Sequence, residues 1–506
     1  MTFFTKIRRK LAAVLVPGSI KRGYPFRRAV SQGGLAAAPT TANQEAIGNV
    51  ELGRQCAQEL ERTVGYAAKF LRDMENAIIG RRGFLFRPRC SFGPERPDAV
   101  ANQWLLEQWH GWGAECRFVS VDGRLNFVQL CKLAVRAVPR DGEFLCRIRR
   151  APAGNPYLFA LEPLDPARLP ASYNQARTAN GNKVVMGVEM DAESNRPVAY
   201  HLNLSSETAW SGIPGAALAL TRVPADEIVH LFLVQRPESW RGMTWFAPTV
   251  QRFANLNGYE EAEVVAARVS AARMGFLEQQ IDADSFDRDK FDEQPPTETY
   301  EPGTIKPLPY GWKYNEPTLT HPSSGYAPYV KGVLRSVAGA LGVSYNNLNN
   351  DLEGVNYSSI KAGTINERDF YENLQEWFAS AFLREVYRVW LKMQLLRDDC
   401  PFPLSRYTHL CRVEFKPRKF LWIDPLKDAM FYEMARKNLW ISDTDICDAL
   451  GSDIDDVYEQ IAREQKKRAA LGIQNPQAES IATAAIKATA LAAAKQELLV
   501  DGEEDV

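Results

Sequence analysis

The sequence predicts a helix-rich α+β subunit of elongated build, and three observations carry that reading. Between Ala101 and Val234, short strand-like and helical runs mix without a βαβ rhythm, so a doubly wound nucleotide-binding sheet is not expected. From Ser358 to Leu396 apolar residues follow a helical period for longer than one compact domain needs. Residues 276–322 are acidic and then Pro-rich, with no helical period. At 506 residues the chain also exceeds what one hydrophobic core usually organises.

Residues 1–44 are basic and then rich in Ala, Gly and Thr, and read as a flexible arm. Eight Lys and Arg precede Glu45, the first acid; the apolar patch "LAAVLV" is too short for a secretory signal. "QEAIGNVELGRQCAQELERTVGYAAKFLRDMENAIIG" is helical and closes at Gly80. "GFLFRPR" reads as a strand. "ANQWLLEQWHGW" and "GRLNFVQLCKLAVRAV" read as helices. "EFLCRIRR", "PYLFALEPL", "KVVMGVEM", "PVAYHLNL" and "EIVHLFLV" each read as one short strand, and "EMDAESNRPVAY" as a hairpin by its turn residues.

An uninterrupted helix is expected from Thr249 to Met274 and another from Ala327 to Leu341. An Asn-rich loop follows, within "LGVSYNNLNNDLEGVNYSSIKAG". The long helix then starts with Ser358 as N-cap, and Phe370, Leu374, Trp377, Phe378, Ala381, Phe382, Val386, Val389 and Met393 trace its apolar stripe. Residues 400–424 are irregular. Helices resume at Pro425, with Ser442 as a cap, and the chain closes on an Ala-rich run and the acidic tail 501–506.

Composition narrows the function. The net charge is −1, whereas a protein that wraps nucleic acid tightly carries a basic excess to neutralise phosphates. Either nucleic acid is not the ligand, or it is held without being gripped. No run approaches the length of a membrane span. The eight Cys include no C-x-x-C and read as buried, reduced thiols; no metal or cofactor is expected.

Phosphate-cradling Gly loops, H-E-x-x-H and G-x-S-x-G are absent. The best catalytic set is Glu189 and Asp191, on one face by alternation, with His201 and His230. A solvated hairpin face with two incidental His explains those residues better. Ser358 and Lys361 have nucleophile–base spacing, but a helix N-terminus accounts for them.

Several ordered strings resemble the lambda-type portal proteins of tailed bacteriophages. "GVEMDAESNRPVAYHL" is similar to that family's GIE-x-D-x-x-GRP-x-AYH hairpin, and "ADEIVHLFLVQRPESWRGMTWFAPTVQRF" to its RP-x-Q-x-RG stretch. "EPGTIKPLPYG" and "LRSVAGALGVSYNNLNNDLEGVNYSSIKAGTINE" resemble two later segments, and the likeness runs with gaps from Tyr66 to Trp422. Asn195 stands at a usual Gly, Ser239 at a Gln, Lys361 at an Arg, and Tyr310-Gly311 at Gly-Glu.

The resemblance implies a non-enzymatic ring of twelve copies at one vertex of the head, with DNA passing through its axis. ATP is then hydrolysed by the terminase large subunit that docks on the ring; the other partners are major capsid, scaffolding and head-completion or adaptor proteins. Residues 45–246 would be the wing, 247–275 and 323–342 the stem helices, 276–322 the clip, 343–357 the tunnel loop, 358–424 the long wing helix and its return, and 425–500 the crown. Near-neutral charge fits, because many copies of a basic lumen residue would oppose sliding. On this reading the DNA-facing residues are Tyr345, Asn346, Asn347, Asn349, Asn350, Asp351, Glu353 and Asn356. Lys331 and Arg335, at i and i+4, would share a lumen-facing helix side, unless that side pairs with acids of a neighbouring copy. Two other readings stay open: a metal-dependent nucleic-acid-processing enzyme, and another ring or adaptor component of a virion.

Overall fold

The computed structural model describes residues 41–93, 96–204, 220–271, 276–279, 312–315, 325–353, 357–420 and 425–473. It divides into a unit ending at Pro417 and a second beginning at Arg418.

In the first unit the predicted N-terminal helix is three: Ala42–Ala46, Val50–Thr63 and Gly65–Ile78. The second and third pack on Phe127–Asp141, whose Asn126 and Gln129 form a reciprocal cap. Its far end stops at Gly142, held at φ +90° against the backbone of Gly242, where any Cβ would collide. The strands Phe144–Arg150, Phe159–Leu164 and Ile228–Leu231 form an antiparallel sheet with Phe144–Arg150 in the centre.

A second antiparallel sheet runs in sequence order through Lys183–Val185, Val188–Met190, Pro197–Asn203 and Leu220–Pro224. "KVVMGVEM" is therefore two strands and not one. Met186 (φ 50°) and Gly187 (φ 84°) turn the chain between Val185 and Val188, the backbone pattern of a two-residue hairpin. Met186 contributes no turn signal in sequence; its side chain is fully buried beside Ala46, Val50 and Ala171. Asn195 takes φ 56° at the next turn, the left-handed conformation Asn tolerates where Gly is usual.

The helices expected over Thr249–Met274 and Ala327–Leu341 are observed as Val250–Ala271 and Tyr326–Leu341, and Tyr259 of the first meets Tyr329 of the second at 4.6 Å between ring centres. Between them, Phe276–Gln279 pairs antiparallel with Trp312–Asn315; the rest of 276–322 lies outside the described residues.

The long helix begins at Tyr357, one residue before the predicted Ser358 cap, and runs to Gln394 through a π turn at Ala379–Leu383. At about 1.5 Å per residue it spans about 57 Å. The π turn takes in one extra residue, so Leu374 and Phe378 before it and Val386, Tyr387 and Trp390 after it stay on one buried side. Trp377, Ala381 and Val389, also placed on the stripe, are only half-buried. Trp390 and Tyr387 join Phe86, Trp109 and Phe415 in an aromatic core, with Trp109 5.0 Å from both Phe86 and Trp390. Phe86 and Phe415 are partners in the pairing of Leu85–Pro88 with Val413–Lys416.

All eight Cys are free, but only Cys90, Cys131 and Cys146 are buried; the other five are half-exposed. Among the described residues no helix is long and apolar enough to cross a membrane. The second unit holds the helices Pro425–Lys437, Asp443–Ala449 and Ile454–Ala470, with Ser442 and Asp445 forming a reciprocal cap. The Ala-rich run and acidic tail fall outside the described residues.

Candidate functional site

The four residues weighed as a catalytic set fall into two separate networks. Glu189 is buried and accepts hydrogen bonds from Arg222 (2.7 Å), Asn182 (2.7 Å) and His201 (3.1 Å). The Arg222 guanidinium holds its carboxyl at about 2, against the upward push of burial. Asp191 does not join it, because the strand ends at Met190 and Asp191 lies in the turn that follows. It closes the turn by accepting from Ser194 N (2.8 Å) and Ser194 Oγ (2.7 Å). The solvated-face reading is thus corrected at Glu189, which is an internal anchor.

His230 belongs to the other network. Its Nε2 lies 3.0 Å from Glu143, which also takes Arg54 (3.0 Å) and both arms of Arg241, all of them buried. Burial pushes the Glu143 carboxyl up, but Arg241 and His230 outweigh it and hold it well below the usual range. Burial lowers His230, so it is neutral at pH 7. Arg241 Nη1 donates to Leu169 O (3.0 Å) and Met186 O (2.7 Å), tying the hairpin to the three-stranded sheet. Every carboxylate here is consumed by structural donors. Among the described residues no three His, Cys, Asp or Glu side chains are grouped to hold a metal ion.

The Asn-rich stretch is where the expected polar residues converge, and it is not a plain loop. Tyr345–Asn349 forms a short helix capped by Ser344, whose Oγ accepts from Asn347 N (3.2 Å). Leu348 is buried beneath it, and Asn350 ends it at φ 53°. Sequence reasoning read Asn as a loop former, whereas here Ser344 and Asn350 supply the two caps of a helical turn.

Two carboxylates pin this segment. Glu367, on the long helix, accepts from Ser344 Oγ (2.7 Å), Asn347 Nδ2 (2.6 Å) and Tyr371 OH (2.6 Å). Lys69 donates to Asn347 O and pairs with Asp73. Asp351 accepts from Tyr345 OH (2.8 Å) and lies 3.2 Å from Lys331 Nζ, while Asn349 Nδ2 donates to Tyr345 OH (3.1 Å). The Tyr345 hydrogen bond, a backbone N–H and Lys331 hold the Asp351 carboxyl below its ordinary value, so it is charged at neutral pH.

Lys331 and Arg335 each sit 5.6 Å from the Tyr345 ring centre, so they do share one side of their helix. The acid that Lys331 meets is Asp351 of its own chain. Among the predicted site residues, Asn347 and Asn349 spend their side-chain amides inside the fold, and Asn350 and Glu353 are exposed. Asn346 is half-exposed, and Asn356 lies outside the described residues. Ser344, Lys69, Glu367 and Tyr371 were missed. The one signal available was an acid, Glu367, in line with the stripe through Tyr371 and Leu374.

The class of this helix-rich α+β subunit follows from its sequence. Residues 30–375 match the family described as phage portal protein, lambda family. The chain belongs to that family, and its function is that of a portal protein at the phage head–tail connection. It is 34% identical over 427 residues to a "probable portal protein" of Halomonas phage phiHAP-1, covering 84% of this chain and 82% of that one. The portal protein of Escherichia phage N15 is 21% identical over 86% of this chain and 88% of its own length. Portal protein B of Escherichia phage lambda is 20% identical over 85% of this chain and 86% of its own.

Proposed function

We propose that copies of this chain close into a ring, twelve expected, at one vertex of the phage head, and that double-stranded DNA enters and leaves through its axis. In this reading residues 45–246 form the wing, 247–275 and 323–342 the stem, 276–322 the clip, 343–357 the tunnel loop, 358–424 the long wing helix and its return, and 425–500 the crown. The clip receives the terminase large subunit, which supplies ATP hydrolysis, and later the head-completion or adaptor proteins. Major capsid and scaffolding proteins seat the ring in the virion vertex during assembly in the host cytoplasm. The protein itself catalyses nothing.

The observation that carries the channel assignment is the pinning of Tyr345–Asp351. Glu367 and Lys69 hold it on one side and Lys331 on the other, while Asn350 and Glu353 stay exposed. A polar segment fixed at its base can meet a moving backbone through exchangeable hydrogen bonds without following it.

Negative-stain images of the assembled full-length protein test the ring: an axial hole is expected, and a monomer with metal-dependent nuclease activity overturns it. Reconstituted packaging with a terminase separates a portal from an adaptor. Replacing Asn349, Asn350 and Asp351 together by Ala is expected to reduce packaging or DNA retention. Unchanged packaging and retention remove the DNA-facing role from this segment.

A further inference from the structure

We propose that Asp351 is an internal competitor of DNA phosphate for Lys331, keeping the helix side of Lys331 and Arg335 weak enough for a duplex to slide past. The inference rests on the channel reading of the same segment. It starts from an asymmetry between two cations on one helix side. Lys331 is 3.2 Å from the Asp351 carboxylate, whereas Arg335 is exposed and has no acidic partner among the described residues. Both lie 5.6 Å from the centre of the Tyr345 ring, which fixes them as neighbours.

The carboxylate occupies the seat a phosphate oxygen would take. A phosphodiester and a carboxylate each carry one negative charge and present two acceptor oxygens to a cation. Asp351 is held in that seat independently of Lys331, by Tyr345 OH on Oδ2 (2.8 Å) and by Glu353 N on Oδ1 (3.0 Å). A phosphate that reaches Lys331 therefore exchanges one ion pair for another, and the displaced carboxylate stays nearby to take Lys331 back. Arg335 remains as the cation without a competitor. Of the two cations, one is thus answered by a carboxylate and one is open to phosphate.

That arithmetic matters because phosphate contacts accumulate. Each neutralised phosphate releases counterions and steepens salt dependence, so a ring with two free cations per copy would hold DNA far more tightly than one with a single free cation. Asp351 is charged across the neutral range, so the competition is constant and not switched by pH.

The test measures affinity of the assembled full-length protein for a short fluorescent duplex at several salt concentrations. Asp351→Asn keeps an acceptor for Tyr345 and removes the charge. It is expected to tighten binding about tenfold and to steepen the salt slope. Adding Lys331→Met to that variant returns both towards wild type, and Arg335→Met alone weakens the wild-type protein. Ring integrity of each variant is checked by negative stain. If the two Met variants weaken binding but Asp351→Asn does not tighten it, the competitor inference is overturned and the channel reading stands. If neither cation variant changes DNA affinity, this face does not meet DNA and both readings fall.

Discussion

Glu367 and Asn347 are joined by a 2.6 Å hydrogen bond that ties the short helix to the long one. Glu367 is only 8% exposed, and its carboxylate also serves Ser344 and Tyr371. Replacing it by Ala leaves the buried Tyr371 hydroxyl and two half-buried donors without an acceptor, at a cost of about 2–4 kcal/mol. The check is the denaturation midpoint together with hydrogen exchange across 344–350. Faster exchange confined to that segment is expected; unchanged exchange contradicts the anchor.

Arg241 is the larger commitment. It is fully buried, pairs with Glu143 and caps two carbonyls from distant segments. Arg241→Met takes the bidentate partner from a buried carboxylate, leaving it Arg54 and His230, and frees two carbonyls, which costs about 3–5 kcal/mol. Arg241→Lys is expected to recover little, because an ammonium cannot reproduce the guanidinium fork. Thermal unfolding of both variants measures this, and a Lys variant as stable as wild type contradicts it.

Acid should weaken the four-stranded sheet through Glu189. Its carboxyl sits at about 2 in the fold against an ordinary 4.5, so the unfolded chain takes up the proton first. The stabilisation is complete above about 4.5 and is lost as pH falls from there to about 2. Glu189→Gln should flatten that part of a stability-versus-pH curve. An identical acid limb in wild type and variant counts against it.

Asn195 stands at φ 56°, a position where a β-branched residue is strained. Asn195→Gly is expected to change stability by no more than about 1 kcal/mol, and Asn195→Val to lower it by about 1–2 kcal/mol. Melting temperatures of the pair decide it; equal temperatures would contradict the left-handed turn.

The parts of this fold legible in sequence were those governed by local rules. The stripe from Phe370 to Met393 gave the long helix, and Ser442 gave the cap of a C-terminal one, which Asp445 completes. Local rules failed where a distant partner decides. Met186 itself signals no turn, Gly187 is a single Gly inside an apolar run, and the donor on the Met186 carbonyl is the distant Arg241. Glu143 and Arg241 are 98 positions apart, and no periodicity relates them. The convergence of Lys331, Arg335, Tyr345 and Asp351 was half visible. The helix spacing put the two cations on one side, but only the folded segment brings the acid to them.

The pairing of Leu85–Pro88 with Val413–Lys416 also sets a clock. Phe86 and Trp109 emerge early from the ribosome, yet the ring partner Phe415 follows more than 300 residues later. At about 5–20 residues per second, that interval is roughly 15–65 s of synthesis. Until it ends, this aromatic core lacks its closing strand. A nascent chain that stops short of Val413 therefore carries a first unit whose aromatic core is still open.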